Sequence, residues 1–192
     1  MFARKHLLTA TTVLAAVAAG TASAREKPPP ALQVFGAAAD TYVTAARPGA
    51  NYGHALTLKA GPRTTTFVRF DLKQPASESA TVVLLLHAQS GQRAAYQVRR
   101  VAQVSWGERR LTFANAPKLS SRYTAGRQKQ QGAWNAVDVS AFVAGRARVS
   151  LAVTSRSPSG LVFNSRESKL GPRLVVQNGP TAGGIQKLLP LP

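Results

Sequence analysis

Residues 105–117 read SWGERRLTFANAP and hold one of only two tryptophans in the chain beside one of only seven carboxylates. An indole, a short charged cluster and then Leu-Thr-Phe predict a chain turning into a sheet at a corner. Trp106 would cover the end of a core, the polar residues would fix the turn, and the extended LTF run would close at Asn115-Ala116-Pro117. Trp106 is therefore read as a core residue. Trp134 is read the same way, because it too precedes a strand-like run.

Outward from this corner the hydrophobic period is two, and no stretch sustains a helical pattern. Upstream, ADTYVTAA alternates, HALTLKA follows an Asn-Tyr-Gly turn, and TTTFVRFDL follows Gly-Pro. ATVVLLLHA is a continuous apolar run suited to a strand buried on both faces, and AAYQVRRVAQV alternates until its paired arginines. SSRYTAGRQKQQG reads as a polar loop. Downstream come WNAVDVSAFVAG, RVSLAVTSR, LVFNSRES and PRLVVQN. Asp138 or Ser140 can cap one short helical turn that Gly145 would end. About ten strands bounded by Gly, Pro, Asn and Ser predict an all-β, jelly-roll-like antiparallel β-sandwich.

The ends differ from this middle. A basic start, a short apolar stretch rich in Ala and Thr, and Ala22-Ser23-Ala24 predict a signal peptide over 1–24, cleaved after Ala24. No run is long enough to be a transmembrane segment, so a secreted chain, extracellular or periplasmic, is expected. Residues 25–34 form a Pro-rich lead-in, 35–177 the sandwich, and 178–192 a Gly- and Pro-rich flexible tail whose LLPLP finish offers at most a docking peptide. The chain has no cysteine, so disulfides, thiolate metal sites and a cysteine nucleophile are excluded.

In order, the fragments AADTYV, NYG (51–53), VRFDL (68–72), WGE with LTFANAP, W-x-x-x-DVS (134–140), FNSRES (163–168) and GPRLVV resemble the disaggregatase-related (DNRLRE) domain, assigned to carbohydrate-binding module family 96. The family commonly carries a second aromatic and Asn-Asn in the LTWNNAP segment, where Phe113 and Ala114 stand here. The resemblance implies a secreted, non-catalytic jelly-roll module of a kind appended to polysaccharide-degrading enzymes or surface proteins, with some members binding acidic polysaccharide. Such a module with no catalytic partner would act by adhesion, by sequestering sugar or as a piece of the cell envelope.

Charge points to the same class of partner. The formal net charge is +18, and removing Arg4 and Lys5 with the signal leaves +16. A surface of this sign attracts acidic polysaccharide or another polyanionic envelope component, and the attraction weakens with salt. No basic helix or paired aromatic strand supports specific nucleic-acid binding. The residues suited to hold an acidic sugar are Arg99, Arg100, Arg109, Arg110, Arg122, Tyr123, Arg127 and Lys129. Guanidinium groups match a carboxylate bidentately, and a tyrosine ring can stack on a sugar face.

No enzyme is expected. A glycosidase needs two facing carboxyl groups, one with a raised pKa. Here an arginine lies near each landmark acid in sequence (Arg69 for Asp71, Arg109 for Glu108, Arg166 for Glu167) and would keep it ionised. His54 reads as a solvated turn residue and His87 as an edge-of-core residue, which leaves a polysaccharide lyase as a third reading behind a structural or adhesive envelope protein. No cofactor is expected. The alternative is a structural calcium at Asp40, which would need six to eight oxygen ligands. Oligomeric state is not legible.

Overall fold

A computed structural model describes residues 32–178. The expected signal peptide (1–24), residues 25–31 of the lead-in and residues 179–192 of the tail lie outside the described residues. The period-two segments form the strands β1 (Leu32–Gly36), β2 (Ala39–Thr44), β3 (Thr57–Ala60), β4 (Thr64–Asp71), β5 (Thr81–His87), β6 (Ala95–Val101), β7 (Leu119–Arg127), β8 (Trp134–Asp138), β9 (Arg148–Thr154), β10 (Leu161–Asn164) and β11 (Arg173–Gln177), with one helical turn α1 (Ser140–Val143). β1-β11-β5-β8 make one antiparallel sheet and β2-β4-β9-β6-β7 the other. β3 and β10 pair at the side, and an isolated bridge from Ala88 to Phe163 joins β10 to the end of β5.

Alternation decides what lies between the sheets. Val68 and Phe70, Val149, Leu151 and Val153, and Tyr96 and Val98 project from the five-stranded sheet. They meet Val82, Leu84, Leu86, Leu174 and Val176 of the four-stranded one, and all are buried. Each such side chain contributes about 1.5–3 kcal/mol by leaving water, so this layer is the main source of stability in a chain without disulfides. β5 is buried on both faces, as its unbroken apolar run predicts. Val83 and Leu85 join Val175 in a cluster on the outer side, packed by Trp134 and Ala136. Trp134 is thus partly buried cover: the Arg173 guanidinium lies 4.9 Å from its ring centre and His87 meets it edge-on at 5.1 Å. α1 forms where expected, with Asp138 Oδ1 accepting from the Ser140 N–H at 2.9 Å. Gly145 (φ 68°) takes the left-handed backbone that ends the turn.

Three local expectations are corrected. The LTF run is not extended into a strand: residues 102–118 carry no strand. Asn115 Oδ1 accepts from the Thr112 N–H at 2.7 Å and its Nδ2 donates to Arg110 O at 2.9 Å, so a side-chain amide satisfies backbone groups that a ladder would otherwise pair. The polar loop SSRYTAGRQKQQG is instead largely strand β7, an edge strand with no buried residue among its nine, which the hydrophobic period cannot register. The Pro-rich lead-in ends early, because Leu32–Gly36 pairs with β11 throughout.

Candidate functional site

Strand register arranges the outer face of the five-stranded sheet into rows. Thr41, Phe67, Ala152, Arg99 and Tyr123 stand side by side across β2, β4, β9, β6 and β7, and Ala39, Arg69, Ser150, Val101 and Leu119 form the next row. Residues 102–118, which join β6 to β7, fold back over this second row. Trp106 packs edge-on against Phe67 at 6.2 Å and donates from Nε1 to Ser150 Oγ at 2.6 Å. Arg69 Nη1 donates to Trp106 O at 2.8 Å. With Leu111 and Val101 these residues make a second small core, so Trp106 is the core residue its sequence context predicts.

The cover loop is fastened by the landmark fragments. Asn51 Nδ2 donates to both Glu108 O and Leu111 O at 2.7 Å. Gly53 is needed because a Cβ there would stand 2.5 Å from Glu108 O. Glu108 Oε1 accepts from the Asp40 N–H at 2.8 Å, and Glu108 Oε2 pairs with Arg166 Nη1 at 3.1 Å. The Arg166 N–H in turn donates to Asp40 Oδ2 at 2.7 Å. Glu108 is therefore paired with Arg166 and not with its sequence neighbour Arg109, because the chain turns at 108–110 and leaves Arg109 exposed. Asp71 keeps Arg69 at 3.8 Å but is held more closely by Arg148 at 2.7 Å.

Asp40 also departs from the expectation that the acids stay ionised. It is 2% exposed, and burial, with Glu108 and Glu167 nearby, pushes its carboxyl up to about 7 against the lowering effect of the Arg166 N–H. Among the described residues no three His, Cys, Asp or Glu side chains are grouped to hold a metal ion. One Asp40 oxygen is taken by a backbone N–H, and both Glu108 oxygens lie within reach of a guanidinium. As arranged, these residues do not fit calcium's requirement for six to eight oxygens. They form a latch between β2, the cover loop and the β10–β11 connection.

The first row is open where the cover loop ends. A groove of about 550 Å³ is bounded by Gln97, Arg99, Tyr123, Thr154 and Arg156. Arg99 is held by four neighbours: Nη1 donates to Ser120 O and Ser121 O at 2.8 and 3.0 Å, Nη2 to Gln97 Oε1 at 2.7 Å, and its guanidinium lies 5.0 Å from the Tyr123 ring centre. Tyr123 is nevertheless 52% exposed, so an aromatic surface backed by a fixed cation faces solvent.

Of the eight residues singled out from sequence, only Arg99 and Tyr123 come together here. Arg122 points to the other side of β7, beside Asp138 and α1. Arg127 and Lys129 line a separate groove at the end of β7. Arg109 and Arg110 are exposed on the cover loop, and Arg100 is half-buried opposite Leu151. Gln97, Thr154 and Arg156 were not legible as site residues, since only register places them beside Tyr123. His87 is an edge-of-core residue, its Nδ1 2.7 Å from Asn164 Nδ2, and His54 is exposed.

No helix among the described residues is long and apolar enough to cross a membrane. A search of curated proteins gives no match to this chain. The family model for carbohydrate-binding module family 96 matches residues 31–178, the whole span from β1 to β11. The chain belongs to carbohydrate-binding module family 96.

Proposed function

We propose that this protein is a secreted, non-catalytic module that binds acidic polysaccharide through the open half of its five-stranded sheet. The observation that carries the reading is the Arg99–Tyr123 pair: a tyrosine with half its surface free, fixed against a guanidinium. A sugar ring can stack on the tyrosine, while Gln97 Nε2 and the exposed Arg156 offer donors to hydroxyl and carboxylate groups. None of the described carboxylates lines this groove, so nothing in it repels an anion. Export is supported by the signal-like first 24 residues.

A non-catalytic role is supported by the placement of Asp40. Among the described residues the one carboxyl group with the raised pKa of a general acid is sealed under the Arg166 backbone on β2, at the opposite edge of the sheet from Tyr123 and three strands from Arg99. Binding is tested by retention on immobilised pectate, alginate and a neutral glucan. Retention on the two acidic polymers alone, weakening with salt and lost in Tyr123→Ala, is the expected result. Equal retention on the neutral glucan would defeat the acidic reading, and no retention on any polymer would favour a structural or adhesive envelope role. New absorbance from unsaturated uronate ends during incubation would reveal a lyase.

A further inference from the structure

Beyond Gln97 and Ala125 the outer row of β6 and β7 continues with Ala95 and Arg127, which face each other in register. Here the loops before β6 and after β7 meet, with the Gln128 N–H donating to Ala94 O and the Gly132 N–H to Ala88 O, both at 2.9 Å. Between them lies a groove of about 530 Å³ lined by Arg93, Arg127 and Lys129. All three side chains are exposed, none makes an ion pair or side-chain hydrogen bond among the described residues, and no carboxylate stands in the lining. Three like charges around one concavity repel each other and raise the local concentration of anions.

The two grooves are neighbours along one strand. Tyr123, Ala125 and Arg127 project to the same side of β7 because side chains repeat every second residue, and four residues of strand span about 14 Å. Arg156, exposed and unpaired among the described residues, stands at the rim of the first groove where β9 ends. That span is longer than a single pyranose ring, so one monosaccharide cannot touch both ends. A linear polymer can, and its second contact is then intramolecular.

We infer that the two grooves form one track along β7 for a linear polyuronate several sugar residues long, with one ring on Tyr123 and carboxylates further along the chain held by Arg93, Arg127 and Lys129. The inference rests on the reading of the Tyr123 groove as an acidic-sugar site and adds to it the length and direction of the ligand. Carboxylates are favoured because two of the three cations are guanidinium groups, whose planar fork matches a carboxylate.

The test is calorimetric titration of the full chain with galacturonate oligomers of two, four and eight units. Affinity is expected to rise by about tenfold or more from the shortest to the longest. The triple variant Arg93→Ala/Arg127→Ala/Lys129→Ala should keep the affinity for the dimer and lose the rise with length, whereas Tyr123→Ala should lose both. Affinity independent of length, unchanged in the triple variant, would sink the track and leave the Tyr123 groove standing. A triple variant weakened equally for every oligomer would also sink it, since that is the signature of diffuse attraction. Failure of the unmodified chain to bind any acidic oligomer would overturn both the track and the groove reading beneath it.

Discussion

On one face of the five-stranded sheet, Phe67 and Ser150 lie buried beneath Trp106, while Tyr123, in the same row as Phe67, remains open to solvent with Arg99 half-buried beside it. Both halves display an aromatic ring next to an arginine: Arg69 lies 5.5 Å from the Trp106 ring centre and Arg99 5.0 Å from that of Tyr123. What differs is the loop above. Where residues 102–118 fold down, the ring loses its contact with water and becomes core. Where no segment returns, the same pairing becomes a surface on which a ligand can lie. The residue types are alike, and the chain connection assigns their roles.

The largest test of this contrast is Trp106→Ala. It removes a buried ring together with the hydrogen bond to Ser150, and an aromatic-to-alanine change in a core costs about 3–5 kcal/mol. Chemical denaturation should show a loss of that size, and a loss below 1 kcal/mol would mean that the cover loop is not core.

The next effect is a pH dependence from the latch. Burial holds the Asp40 carboxyl at about 7 against an ordinary 3.8, so the folded chain keeps a proton that the unfolded chain releases. This contribution is fully present below pH about 4 and is lost as pH rises through about 7. It amounts to on the order of 4 kcal/mol, of which about 3 kcal/mol falls between pH 5 and pH 8. Unfolding at pH 5 and pH 8 should show the unmodified chain weakening with rising pH and Asp40→Asn staying nearly level across the same range.

Smaller again is Gly53→Ala. Its methyl would press on the Glu108 carbonyl, and such overpacking costs about 1–3 kcal/mol. Faster proteolytic cutting within 102–118 is the expected readout, compared with the parent chain. The smallest structural effect belongs to Tyr123→Ala, which should change stability by no more than about 0.5 kcal/mol while abolishing retention on pectate. Loss of stability comparable to that of Trp106→Ala would erase the distinction between the two halves.

The burial pattern of β5 and the inward faces of β4 and β9 were legible because alternation and apolar runs are local properties of the chain. So were Trp106 as core, α1 and the family. β7 was not, because an edge strand that buries nothing has no hydrophobic period to read, and its polar residues look like a loop. The pairing of Glu108 with Arg166 was missed for a different reason. Arg109 is adjacent in sequence, but the turn at 108–110 sends it away and brings in a residue 58 positions distant. Two of the five residues that bound the candidate site were visible as single residues, Arg99 and Tyr123. Their partners Gln97, Thr154 and Arg156 emerge only once β6, β7 and β9 are laid side by side, since register is a property of pairs of strands.

β7 ends its sheet and pairs only with β6, so one margin of its backbone presents unpaired N–H and C=O groups, the template through which separate molecules zip together. Arg122 and Arg127 sit on this strand, and exposed Lys118 and Lys129 flank it. Cations along an edge strand oppose its pairing with a second copy by mutual repulsion. A polyanion that neutralised them would remove that guard, so self-association should peak near charge equivalence with the polymer and subside once polymer is in excess and recharges the complex with the opposite sign.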